Sequence, residues 1–361
     1  MGALKGIRIV EMDAIGPVPL CAMILADMGA DVVRIARAGG LSAYDDDGGS
    51  ILHRSRSVVT LDLKSADDRD MALALIERSD GLIEGFRPRV MERLGLGPDA
   101  CLAINPRLVY GRMTGWGQDG PLASRAGHDI NYIALTGALA MMGDPDGPPA
   151  PPLNLIGDYG GGTMFLALGM VAGILSARAT GQGQVIDAAI TDGVTTMLSL
   201  FMALQASGGW SVERGRNLLD GGRPFYRCYV CADGGYVAVG ALEPQFFAVL
   251  LRGLGIAEDR FRQYDPDQWP EMERLFSEIF ASRSRNDWGA VFDETDACVT
   301  PVLSMAEAAA HPHNVARQIH DLSEAFTAPA PAPRFSRTTS TIRPPKALSA
   351  RDILARWADE A

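Results

Sequence analysis

IRIVEMDAIGPVPLCAMILADMGADVVRI (7–35) is the stretch that decides the fold. Its opening, IRIVEM (7–12), is a short apolar run rich in branched side chains, the pattern of a buried strand. From Pro17 to Met28 apolar residues recur at helical spacing, and Gly29 supplies a C-cap. Asp31–Ile35 is a second strand. A strand, a helix and a strand in such close succession predict a parallel pair joined by a crossover helix, the unit of an α/β sheet. The intervening turn, DAIGPVP, carries Pro17 and Pro19 where a dinucleotide fold carries G-x-G-x-x-G, which disfavours a nicotinamide or flavin cofactor.

The same alternation runs outward from this unit. Val58–Leu63 is a predicted strand, Ala66–Arg78 a helix, Gly81–Glu84 a strand, Met91–Leu94 part of a short helix and Leu108–Arg112 a further strand. Residues 39–50 (GGLSAYDDDGGS) form a polar, glycine-rich loop. Beyond about residue 205 the texture changes: two strand-like segments flank Asp233–Gly235 as a hairpin, and a helix follows over Pro244–Leu254. APAPAPRF (328–335) is proline-rich and extended. A chain of 361 residues suits two domains. The expected division is a large α/β domain over 1–205, a small α+β domain over 206–325, and a segment 326–361 returning to the large domain.

Composition bounds the function. Hydrophobic residues make up 47% and charged residues 21%, ordinary values for a globular chain. A formal net charge of −11 repels nucleic acid and anionic membranes but leaves room for a local anion pocket. Two uncharged stretches, 159–177 and 193–212, are long enough to resemble membrane spans; the glycines of the first and the polar residues of the second mark them as buried helices instead. MGALKGIRIVEMD lacks the pattern of a signal peptide, WADEA is not a peroxisomal address, and five scattered cysteines fit a reducing compartment, so a cytoplasmic location is expected. Cys228 and Cys231 have C-x-x-C spacing, but along a strand their side chains point to opposite faces. Neither they nor His311 and His313 have the company a metal site needs, and no metal is expected.

Two segments carry chemistry. His128 lies in GHDINY (127–132), and Asp158 in NLIGDYGGG (154–162), where an acid precedes three glycines and an apolar helix. Taken alone, the histidine reads as a structural residue near a helix start and the aspartate as a helix cap. Taken together, they are a candidate proton-transfer pair. Glycines allow close approach of a ligand to the backbone, and unpaired N–H groups at a helix start favour developing negative charge such as an enolate oxygen.

GHDINY, PPLNLIGDYGGG (151–162), GQGQVIDAAITDG (181–193), LLDGGRPFY (218–226), VGALEPQFF (239–247), TDACVTPVL (295–303) and PAPRFSRT (331–338) together resemble the α-methylacyl-CoA racemases, in family order and along essentially the whole chain. That group belongs with the class III CoA transferases. The resemblance implies a Rossmann-like large domain plus a small α+β domain, in a homodimer whose subunits interlock like rings with active sites at the subunit interface. It implies catalytic roles for His128 and Asp158, with Glu243 orienting the histidine. It implies a 2-methyl-branched acyl-CoA substrate and no cofactor, CoA being part of the substrate.

For CoA and thioester binding the resemblance points to Arg37, Arg54, Leu61, Asp62, Leu63, Lys64, Arg87 and Arg93, together with Gly127, Asp129, Ile130, Asn131 and Tyr132. The backbone N–H of Asp129 is the first candidate donor to an enolate oxygen, and the region 160–162 the second. The sequence departs from its relatives at Ala36–Arg37–Ala38, where they commonly read D-R-P. The expected activity interconverts (R)- and (S)-2-methylacyl-CoA thioesters through an enolate. A proton leaves one face of the α-carbon and another returns on the opposite face, and both histidine and a desolvated carboxyl can act as donor or acceptor. The alternative is an acyl-CoA:carboxylate CoA-transferase with Asp158 as nucleophile. Because that mechanism does not require the histidine, His128 with Glu243 favours the racemase.

Overall fold

Five apolar runs become parallel strands, β1 (Arg8–Met12), β2 (Asp31–Ala36), β3 (Ser57–Thr60), β4 (Gly81–Glu84) and β5 (Val109–Thr114), and a sixth, β6 (Gln184–Ala189), joins them. This is a computed structural model, and it describes residues 2–38, 49–322 and 327–359. A seventh strand, Lys346–Ala347, pairs parallel with β3, giving the order 346–347, β3, β2, β1, β4, β5, β6. β1, β2, β4 and β5 are buried almost throughout because helices cover both faces. On one face Pro17–Asp27 and Met164–Thr180 pack together, and Met170 and Ile174 fill the space over Gly81. On the other face Ala66–Glu77, Pro98–Ile104 and Ala350–Asp359 close a core of Leu75, Ile76, Cys101, Ile353 and Trp357 against Val10, Leu82 and Tyr110.

The chain runs outward from β1 through β2 to β3, then crosses back to place β4 on the other side of β1. The loops leaving the carboxyl ends of β1 and β4 therefore diverge, and ligands bind at such a switch point in open α/β sheets.

Two compact units result. The larger comprises Met1–Ala138, Pro152–Ser199 and Ile319–Ala361; the smaller comprises Leu139–Pro151 and Leu200–Gln318. These boundaries differ from those expected from composition. The segment Leu139–Pro151 contributes to the smaller unit, where its carbonyls at Ala140, Asp144 and Gly147 accept from Arg214. Residues 39–48 of the glycine-rich loop lie outside the described residues, and Gly49–Leu52 is a short helix. Among the described residues one helical run, Leu155–Thr180, is long and apolar enough to cross a membrane by length and composition; half of its most apolar window is buried, and it packs on β5 and β6.

In the smaller unit the predicted hairpin is β7 (Tyr226–Val230) and β8 (Tyr236–Gly240), with β9 (Val299–Pro301) antiparallel beside β8. One face of this sheet meets helices Pro244–Gly253, Trp269–Phe280 and Arg285–Phe292 in an aromatic core of Phe225, Tyr229, Phe247, Phe276, Phe280, Trp288 and Phe292. Cys231 is buried on the core side while Cys228 is exposed on the other.

Candidate active site

A cavity of about 700 Å³ opens at the switch point of the large sheet. The segments after β1 (Ala14–Pro19), after β4 (Gly85–Pro88) and after β5 (Gly115, Trp116) form its walls, with His128, Asp129 and Tyr132 on one side and Asn154, Asp158 and Tyr159 on another. The two residues singled out as a proton-transfer pair thus share one cavity, although 30 positions separate them in the chain.

His128 is exposed and precedes the helix Asp129–Leu135 with extended backbone angles. Its N–H donates to Asn131 Oδ1 at 3.0 Å, and its carbonyl accepts the Asn131 N–H at 2.8 Å, a reciprocal closure that fixes the start of the helix. Tyr132 braces the same turn: its hydroxyl donates to the Gly127 carbonyl, and its ring meets Trp116 edge-on with centroids 4.7 Å apart.

Asp158 lies inside the helical run rather than before it. The segment Leu155–Thr163 is wound as a π-helix that continues into Met164–Thr180, so Asp158 does not cap a helix as its sequence setting suggested. Wide turns of this kind recur at functional sites because they displace one side chain from the regular ladder. Burial raises the Asp158 carboxyl above the ordinary carboxylate range; the amide of Asn154, 3.4 Å from Oδ2, and the charge of His128 pull it back, while Asp129 pushes it further up. Gly16 faces it across the cavity with φ +74°, and a Cβ there would stand 3.2 Å from Asp158 Oδ2, so glycine answers both the backbone angle and the close approach.

The glycines after Asp158 serve packing. A Cβ on Gly161 would meet the Val194 nitrogen at 2.9 Å, one on Gly162 would meet Pro17 at 3.1 Å, and one on Gly193 would meet the Gly161 carbonyl at 2.0 Å. They let Ile190–Met197 lie directly on the π-helical segment, and 160–162 lie outside the cavity lining.

Among the expected binding residues, Arg87, Gly127, Asp129 and Tyr132 line the cavity. Arg54 does not. It is 4% exposed, its guanidinium is committed to Asp27 at 3.0 Å and to the Pro329 carbonyl at 2.6 Å, and it ties the returning C-terminal segment down. That pairing removes it as a phosphate ligand. Leu61 and Leu63 point into the large core, and Asp62 closes a turn with Lys64. Arg37, Asp62, Lys64, Arg93 and Ile130 are exposed outside the cavity lining, and Asn131 serves His128. The cavity also recruits cations the sequence did not single out, Arg34 and Arg125, and the imidazole of His53. Arg34 is paired with Asp13, and nothing local in the sequence marks that pair, because one residue lies within β2 and the other just beyond β1.

Glu243 belongs to the smaller unit, exposed at the start of the helix Pro244–Gly253, where its carbonyl accepts the N–H groups of Phe246 and Phe247, both at 3.0 Å. Its charge raises the neighbouring Cys298 thiol, after burial.

A cavity at the switch point of a 3-2-1-4-5-6 sheet, with a histidine and a partly desolvated carboxylate inside it, fits an enzyme of acid–base chemistry. Residues 4–347 match CoA-transferase family III, and the chain belongs to that family. Within it, the chain is 44% identical to the alpha-methylacyl-CoA racemase of Mus musculus and 45% identical to that of Homo sapiens, each match covering 93% of this chain and 87% of the relative. In fold it superposes on a CAIB/BAIF family protein from Brucella suis with a TM-score of 0.84 at 23% identity, over the whole of both chains.

Proposed function

We propose that the chain is an α-methylacyl-CoA racemase, which interconverts (R)- and (S)-2-methylacyl-CoA thioesters by moving a proton between the two faces of the α-carbon. The observation that carries this reading is the pairing of His128 with a desolvated Asp158 in one cavity, in a chain that is 44–45% identical to the mouse and human racemases. One group takes the α-proton while the other, already protonated, delivers a proton to the opposite face. For one enantiomer Asp158 begins as carboxylate and His128 as imidazolium; for the other the protons are reversed. The backbone N–H of Asp129 is assigned to the enolate oxygen, where a fixed dipole stabilises charge as it develops. Arg87 and Arg125 favour the anionic CoA moiety. CoA is part of the substrate, and the proposed mechanism calls on no further cofactor. In this reading the enzyme is a homodimer and Glu243 of a second copy orients His128.

The test is a single enantiomer of a 2-methylacyl-CoA incubated in deuterated water without a carboxylate acceptor. Loss of optical purity with deuterium at the α-carbon is expected. No exchange, but movement of CoA once an acceptor is added, would replace the racemase by a transferase with Asp158 as nucleophile.

A further inference from the structure

Asp129 stands between the two proton-transfer residues: it follows His128 directly in the chain, and its side chain reaches the backbone that carries Asp158. Oδ1 accepts the Asp158 N–H at 2.6 Å, and the Gly157 N–H bonds to the same carboxylate. Gly157 makes this approach possible, since a Cβ there would lie 2.3 Å from Asp129 Oδ1. The residue is 8% exposed, and Oδ2 is buried with no hydrogen-bond partner among the described residues. A buried acceptor without a donor is unfavourable, and more so when it is charged. A tie between two segments needs no charge, and a buried carboxylate with an idle oxygen is a costly way to make one.

We propose that the Asp129 carboxylate is a positioning residue that clamps the Asp158 backbone to the start of the His128 helix and, through its charge, sets the proton affinity of Asp158. The proposal rests on the racemase reading. Two consequences of the geometry support it. The clamp joins elements distant in sequence, so the spacing of the two groups is fixed by one side chain and not by the stiffness of either loop. Its negative charge sits on a buried side chain bonded to the Asp158 backbone, and it adds to burial in favouring the protonated acid. The other groups facing Asp158 are His128, whose charge opposes this, and Asn154 on its own segment, whose amide also opposes it. Tyr132, on the Asp129 helix, feels both aspartates and Arg87, and Gly16 brings no charge from the β1 side.

Three variants separate clamp, charge and scaffold. Asp129→Asn keeps an oxygen acceptor and removes the charge; Asp129→Glu keeps the charge and displaces it; Asp129→Ala removes both. For the Asn variant, the acid limb of kcat/KM is expected to move to lower pH at an unchanged melting temperature. For the Glu variant, kcat is expected to fall by up to ~10²-fold, the usual cost of an ångström's misplacement, with KM for the thioester within about threefold of wild type. The Ala variant is expected to combine both effects. An Asn variant with an unmoved acid limb would overturn the charge role, and a Glu variant with wild-type kcat would overturn the clamp. Loss of kcat in step with loss of melting temperature across all three would reduce Asp129 to a scaffold residue and overturn both. Wild-type α-deuterium exchange, measured alongside, distinguishes failure of this proposal from failure of the racemase reading, because only the latter abolishes exchange in the unaltered protein.

Discussion

At the scale of single residues, proton inventory governs the site. His128→Ala and Asp158→Ala are each expected to lose ~10²–10⁴-fold in racemisation, the usual contribution of a positioned acid or base. Each variant retains one base, so each should still exchange the α-proton of one enantiomer with deuterated water, and the two should choose opposite enantiomers. Exchange of both enantiomers by either variant would refute the division of faces. The pH profile follows from the same pair. Only the singly protonated pair turns over, so kcat/KM is bell-shaped and reports the pair, not either group alone. The two enantiomers must share its shape, because their ratio is the equilibrium constant. Burial raises Asp158, so the acid limb should fall above the ordinary carboxylate range; a limb at or below that range would show that Asp158 is not the desolvated partner.

Away from the cavity, Glu11 and Arg56 make the sharpest stability test. Both are fully buried, with Arg56 Nη1 3.0 Å from each Glu11 oxygen and from the Pro19 carbonyl. Burial outweighs the attraction of Arg56 and pushes the Glu11 carboxyl up to about 7. A carboxyl raised in the folded state stabilises fully at pH below its unfolded value and loses that contribution as pH rises through about 7. Arg56→Met leaves the carboxylate without its partner and is expected to cost about 3–5 kcal/mol at neutral pH. The cost should shrink on acidification as Glu11 takes up a proton, which chemical denaturation at several pH values would measure; a cost independent of pH would mean that charge is not what Arg56 supplies.

Among the elements, β1, β2, β4 and the hairpin were legible because the residues that build them are contiguous and their apolar pattern is local. β6 was not: QVIDAA (184–189) is an edge strand with mostly open side chains, so no apolar run announces it. The π-helical segment was also hidden, since it lies against Ile190–Met197, a packing that no local pattern announces. Gly193→Ala tests that packing. Its Cβ would sit 2.0 Å from the Gly161 carbonyl, so the two segments must separate. A loss of about 1–3 kcal/mol is expected from overpacking. Turnover should fall with it, because Asp158 rides on the displaced segment. Stability lost with turnover retained would show that the π-helical winding does not position the acid.

For the whole molecule, alternation along the chain exposed the α/β class, while the division into units was only partly legible. Leu139–Pro151 carries no compositional mark of the smaller unit it joins, and nothing local marks Arg54 as a tie to the returning segment because Asp27 and Pro329 are far from it in sequence. The proposed homodimer predicts complementation: co-expressed His128→Ala and Glu243→Ala chains should form mixed dimers with one intact site and recover activity that neither variant has alone. Mixed dimers as inactive as their parents would place His128 and Glu243 of one site on the same chain.

The outermost strand of the large sheet, Lys346–Ala347, and the helix carrying Trp357 are also the last parts of that unit to leave the ribosome. Trp357 is fully buried, its indole N–H donating to Asp31 at 2.7 Å, so a residue made late locks a strand made 326 residues earlier. The smaller unit lies wholly between these two events. During synthesis it can complete its aromatic core while the larger unit still waits with β3 as an open edge, a hazard for pairing with a neighbouring nascent chain. Nascent chains stalled with Gln318 just clear of the ribosome should therefore resist proteolysis over 200–318 while remaining cleavable around β3, and the two regions should become equally protected only once Lys346–Ala347 and the Trp357 helix have also emerged.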